Sequence, residues 1–166
     1  VVLKFADENL KKDKTFILQV VGLWSDVLKY ADISLRKDKS VVLKAAKTWS
    51  SALKFADQSL KKDRSFVFEL VKQGGFSLFY LYKIFRKDPL IVKEAVKNDG
   101  QVLAILNERF KKDKSIVGLA IKSYGRALQY TDPKLKKDQS IVYEAIKSDY
   151  DALKYADKRG CNYRIQ

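Results

Sequence analysis

Lys11-Lys12-Asp13 returns along the chain as Arg36-Lys37-Asp38, Lys61-Lys62-Asp63, Arg86-Lys87-Asp88, Lys111-Lys112-Asp113 and Lys136-Lys137-Asp138. The interval is twenty-five residues each time, with no insertion or deletion. A fixed interval of this size is the signature of a stacked repeat array, in which each repeat buries its apolar face against its neighbours. The chain of 166 residues is therefore read as one repeat array, with repeats at 1–25, 26–50, 51–75, 76–100, 101–125 and 126–150 and a partial seventh at 151–166.

The second repeat shows what one unit is made of. From Lys39 to Trp49, the residues Val41, Val42, Ala45, Ala46 and Trp49 recur at spacings of one, three and four, which is a helical stripe. Lys44 and Lys47 lie off it, so this helix is expected to bury one side and expose ammonium groups on the other. Asp38 is the expected N-cap, its carboxylate accepting from free amides of the first turn. The fourth repeat fixes that register: Asp88 is followed by Pro89, and proline suits the first helical position, where a missing donor costs nothing.

Gly75, Gly100 and Gly125 share one repeat position, where the sequence predicts that the long helix stops on a left-handed cap residue; Ser25, Ser50 and Tyr150 hold that position elsewhere. A short second helix follows, carrying the column Leu3, Leu28, Leu53, Leu78, Leu103, Leu128 and Leu153. Its aromatic column, Phe5, Tyr30, Phe55, Tyr80, Tyr130 and Tyr155, is expected in the core because large rings dominate buried contacts. Asp132-Pro133 marks where this helix ends, since the residue before proline leaves the helical region. A turn anchored by Leu10, Leu35, Leu60, Phe85, Phe110 and Leu135 then leads to the next cap. The expected fold is an all-α solenoid of short helix, anchored turn and a longer helix of about 11 residues. A leucine-rich horseshoe is rejected because its alternating β-branched strand pattern is missing.

Composition narrows the chemistry. There is no histidine, and Cys161 is the single cysteine, so the usual general base and the usual thiolate and imidazole metal ligands are missing. No metal, cofactor or catalytic residue is expected, and the carboxylates fall in repeated capping columns instead of one converging pair. No apolar run approaches the roughly 20 residues of a membrane helix. A soluble chain in a reducing compartment is expected. With no methionine, even at position 1, and Val1 already in phase with the repeat, an excised or processed segment is expected. The end of the chain, 161–166, is expected to be an atypical cap or to lead into further sequence.

The pattern Ala-Leu-Lys-Phe-Ala-Asp at 52–57, Leu60-Lys61-Lys62-Asp63, Val67 and Ala-Ile-Lys-Ser at 145–148 resembles the domain of unknown function 4116 repeat family over nearly the whole chain. That family's units look like two twenty-five-residue halves, and they occur in arrays in Legionella-type effectors and in protist and giant-virus proteins. The resemblance implies a repeat module of larger proteins, including injected effectors that would work in a host cytosol, and it carries no catalytic residue or cofactor. Departures are local: Tyr82 and Asn107 replace the turn aspartate, Phe79 and Ala104 a common lysine, and Gly160 the anchoring leucine.

Two surfaces are expected to carry function. The first is a basic ridge of Lys11, Lys12, Arg36, Lys37, Lys61, Lys62, Arg86, Lys87, Lys111, Lys112, Lys136 and Lys137, within a net charge of +14. Further cations at Lys14, Lys39, Arg64 and Lys114 follow the capping aspartate and oppose the helix macrodipole, so an anion there would be stabilising. The ridge fits nucleic acid or anionic lipid, or it simply keeps an exposed face solvated. The second is the fourth repeat, where Phe76, Phe79, Tyr82 and Ile84 are apolar excess at positions polar elsewhere, as an interface with another protein would require. Gly74-Gly75 just before it is expected to permit a bend. A noncatalytic scaffold for a protein partner is the first reading, and an electrostatic binder the alternative.

Overall fold

The computed structural model describes residues 2–24 and 26–157. The expected cap at 161–166, with Cys161, the departure at Gly160 and the glycine-column residue Ser25 lie outside them. Among the described residues there are helices and turns and no strand, an all-α repeat fold as the spacing predicts. No helix among them is long and apolar enough to cross a membrane. The chain packs as two compact halves, Val1–Lys83 and Ile84–Gln166.

The first half holds the long helices Lys14–Val20, Lys39–Thr48 and Arg64–Gln73, and the second holds Pro89–Asn98, Lys114–Ser123 and Gln139–Ser148. Each begins on the expected aspartate. Asp38 Oδ1 accepts from the N–H groups of Ser40 and Val41 at 2.9 and 3.2 Å, and Asp63, Asp113 and Asp138 repeat the arrangement on their own first turns. Asp88 does so on Leu90 and Ile91, with Pro89 opening the helix. The stripe Val41, Val42, Ala45 and Ala46 is buried as expected, and Lys44 and Lys47 are exposed. Trp49 leaves the stripe: it is 43% exposed, and its indole N–H donates to the Gly22 carbonyl.

Three expectations need correction. The anchored turn is itself helical, as in Ile33–Arg36 and Gln58–Lys62, because a second aspartate caps it: Asp32 accepts from Ser34 N–H and Asp57 from Ser59 N–H, both at 2.9 Å. Leu35 and Leu60, both 6% exposed, anchor it, while Leu10 is 41% exposed.

The aromatic column is not core. The short helices are mostly 3-10 turns, such as Ser50–Lys54 and Gly125–Tyr130, and three residues per turn align positions i and i+3. Thus Leu53 with Ala56, Leu78 with Leu81 and Leu103 with Leu106 are buried, whereas Tyr30, Phe55, Tyr80, Tyr130 and Tyr155 sit half-buried on the flank and Phe5 is exposed. Lysines lie over several of these rings, Lys29 at 5.4 Å from the Tyr30 centroid and Lys154 at 5.1 Å from that of Tyr155.

The glycine column does not supply left-handed caps. No described glycine has a positive φ. Four of the long helices end in an extended residue, Gly74 at φ −170° and Asp99, Tyr124 and Asp149 between −150° and −155°, so side-chained residues adopt this conformation as readily as glycine. Gly74 therefore makes no special bend. What Gly100 and Gly125 provide is space: a Cβ on Gly125 would lie 2.5 Å from the Ala145 carbonyl oxygen and 2.8 Å from Asp149 N, and one on Gly100 would strike the Ala120 carbonyl oxygen.

Candidate functional site

The Lys/Arg-Lys pairs split into an inward and an outward member. Lys12, Lys37, Lys62, Lys87, Lys112 and Lys137 are exposed. Lys11, Arg36, Arg86, Lys111 and Lys136 are half-buried, and Lys61 is buried. Three of the four inward ammonium groups have protein partners: Lys11 pairs with Glu8 at 2.7 Å, Lys111 with Glu108 at 2.9 Å, and Lys136 donates to the Gln129 carbonyl at 2.8 Å. Two outward lysines face the turn aspartate one repeat on, Lys112 at 4.0 Å from Asp132 and Lys137 at 3.6 Å from Asp157. The backbone sets this spacing, since the Asp32, Asp57, Asp132 and Asp157 N–H groups each donate at 3.0 Å to the carbonyl of the inward residue one repeat earlier.

The cations after the capping aspartate also find an anion within the chain. Lys14 reaches Asp38 Oδ2 at 2.6 Å, Lys39 reaches Asp63 at 2.7 Å and Lys114 reaches Asp138 at 2.6 Å. One carboxylate oxygen thus caps a helix while the other takes the ammonium of the preceding repeat. The macrodipole penalty read from the sequence is offset internally at these three positions.

These contacts set the acid stability. Burial pushes the Asp38 carboxyl up, but the Lys14 ammonium, the Ser40 hydroxyl and the Val41 N–H together bring it down to about 2. Lys114 and Ser140 hold Asp138 at about 2, and Lys39 and Ser65 lower Asp63. Values below those of the unfolded chain mean stability that is fully present above the unfolded value near 4 and lost as pH falls toward about 2. Asp38→Ala should lower stability at pH 7 by about 0.5–2 kcal/mol and flatten the acid limb between these values. Urea midpoints measured from pH 7 downward check this, and an unchanged midpoint would remove the capping role.

The fourth repeat breaks the pattern where the sequence indicates. Phe76 and Phe79 stack with centroids 4.4 Å apart and rings inclined by 23°, and Phe76 lies 6.2 Å from the Tyr80 ring. Phe76 and Tyr82 are each 38% exposed, so aromatic side chains of this repeat face solvent in the first half. Ile84, 70% exposed, belongs to the second half. The same repeat position as Phe76 holds Arg126 in the second half, where its guanidinium pairs with Asp149 and Asp151 at 2.7 and 2.6 Å. The polar residues Arg126 and Asp151 at that position are thus structural, and Phe76 has no such group.

Sequence reasoning missed a cavity of about 130 Å³ beside this surface, walled by Gln58, Lys61, Tyr80, Leu81 and Tyr82. The Tyr82 hydroxyl donates to Gln58 Oε1 at 2.5 Å, Lys62 lies 5.9 Å from the Tyr82 centroid and Lys54 lies 5.5 Å from that of Tyr80. The available signal was Gln58 at the position of Glu8 and Glu108, combined with Tyr82 at the position of a turn aspartate. A larger cavity of about 460 Å³, bounded by Leu3, Leu10, Phe16 and Trp24, has an almost wholly apolar lining.

No curated protein matches the chain. No solved structure matches it either. The model of a family described as Domain of unknown function (DUF4116) matches residues 13–61, 38–86, 88–135 and 119–159. These overlapping matches cover most of the sequence and advance along the repeat, and the chain belongs to the DUF4116 repeat family.

Proposed function

We propose that this chain is a noncatalytic helical-repeat scaffold that binds another protein through the aromatic surface of its fourth repeat, as a module of a larger effector protein. The observation that carries this reading is the Phe76–Phe79 stack, placed with Tyr82 on an accessible face where other repeats carry polar groups. Exposed aromatic clusters on a rigid helical support have the chemistry of interface anchors: large apolar area with little entropy left to lose. The basic ridge supports its own reading less well. Half of its residues turn inward, and two outward lysines face an aspartate of the next repeat.

The test is Phe79→Lys, which restores the residue that Lys4, Lys29, Lys54 and Lys154 provide at this position. The variant is expected to fold with an unchanged denaturation midpoint and to lose partner affinity by 2 kcal/mol or more, on the order of thirtyfold. Capture from cell lysate should compare wild type with the variant, with and without nuclease. Capture that survives in folded Phe79→Lys and disappears with nuclease would replace this reading with the nucleic-acid one.

A further inference from the structure

Among the inward lysines, Lys61 stands apart. Arg36 lies between two carboxylates whose ionisation it favours, Asp32 of its own repeat and Asp57 of the next. Lys11 and Lys111 have a glutamate three residues earlier. Lys61 has Gln58 at that glutamate position and Tyr82 where the next aspartate would stand, so two anionic positions are neutral at once. Its side chain is nonetheless among the most enclosed, at 8% exposure, and its ammonium forms no hydrogen bond or ion pair among the described residues. Asp57 acts on it only at longer range, and burial wins: desolvation lowers the Lys61 pKa despite that attraction. The stem of Lys61 is enclosed, and its cation, without an ion pair, lines a cavity that opens beside exposed Tyr82.

We infer that this cavity receives the carboxylate of an acidic side chain from the partner protein, seated on Lys61 between the rings of Tyr80 and Tyr82. A volume of about 130 Å³ is well below the 300–1,000 Å³ of sites for drug-sized ligands and suits one Asp or Glu side chain. The surrounding charge is complementary, since Lys54 and Lys62 lie over the two tyrosine rings. Tyr80 also lies 6.2 Å from Phe76, so a peptide whose acidic residue enters the cavity reaches the aromatic stack with a neighbouring apolar residue. The inference rests on the protein-binding reading above and names the chemistry of the partner: an acidic residue next to an aromatic or large aliphatic one.

The experiment titrates the isotope-labelled full chain with the blocked dipeptide acetyl-Glu-Phe-amide, following amide signals of residues 58–62 and 80–82. Saturable shifts are expected, with binding weakened about tenfold when acetyl-Gln-Phe-amide replaces it. Gln58→Glu places an internal carboxylate in the register of Glu8 and Glu108; it should leave the fold intact and weaken the acidic dipeptide about tenfold, as should Lys61→Gln. Equal binding of the two dipeptides, unaltered binding in Gln58→Glu, or equally tight binding of inorganic phosphate would overturn the carboxylate site. If the dipeptide fails while Phe79→Lys still abolishes partner capture, the acidic subsite falls and the aromatic interface stands. If the dipeptide binds as described while Phe79→Lys leaves capture intact, the subsite stands and the scaffold reading falls.

Discussion

Gly100→Ala should destabilise the protein by about 3 kcal/mol, the upper end of the usual cost of overpacking. The added methyl would strike the Ala120 carbonyl oxygen and come within 2.9 Å of both the Ala120 carbonyl carbon and Tyr124 Cβ. Two of those atoms are backbone of the helix Lys114–Ser123, so no side-chain rotation relieves the clash. The helix would have to move away from the 3-10 turn Gly100–Ile105, opening the contacts beneath Val102 and Leu103, which are fully buried. Gly74→Ala is the control. It meets nothing within 4 Å and its φ of −170° suits alanine, so stability should hold or rise by about 0.4–1 kcal/mol through the unfolded chain. Urea denaturation of both variants decides the matter, and equal midpoints would contradict the close approach.

Phe66→Ala is expected to cost about 3–5 kcal/mol, because its ring is 1% exposed at the centre of the first half and leaves a cavity when removed. Phe55→Ala should cost only about 1 kcal/mol, since a half-buried ring forfeits roughly half of a full burial energy of 1.5–3 kcal/mol. Both rings sit in regular columns of the repeat, so the difference between them measures where the core runs. Similar losses would put the aromatic column back in the core.

What could be read from the sequence divides along physical range. The capping aspartates were legible because a cap is local: the side chain of Asp38 bonds amides two and three residues ahead. The long-helix stripe was legible for the same reason, through its 3.6-residue period. The short helices were legible as elements but not as 3-10 turns. Phe55 and Leu53 therefore could not be assigned to flank and core until the three-residue period was seen. The glycine column was found at the right position with the wrong cause. One sequence shows that Gly100 recurs with Gly75 and Gly125, but not that Ala120, twenty residues on, closes against it.

The candidate site divides in the same way. Phe76, Phe79 and Tyr82 were visible as departures from the repeat, which needs only an alignment of the chain with itself. The basic pairs looked uniform because lysine and arginine write no inward or outward direction into sequence. That direction comes from carbonyls held by the next repeat, such as Lys11 O accepting from Asp32 N–H. The isolation of Lys61 arises from two substitutions twenty-four residues apart, Gln58 and Tyr82, which meet only after folding.

The salt dependence of partner affinity tests the central claim most directly. If the aromatic surface of the fourth repeat carries binding, with a single acidic residue on Lys61, affinity measured by calorimetry at 50 and 200 mM salt should fall by no more than a few fold, roughly the effect of one released counterion. If the lysine ridge carries it through phosphate contacts, six to ten of them would weaken binding by about 10³–10⁵ over the same interval, and that result would contradict the account.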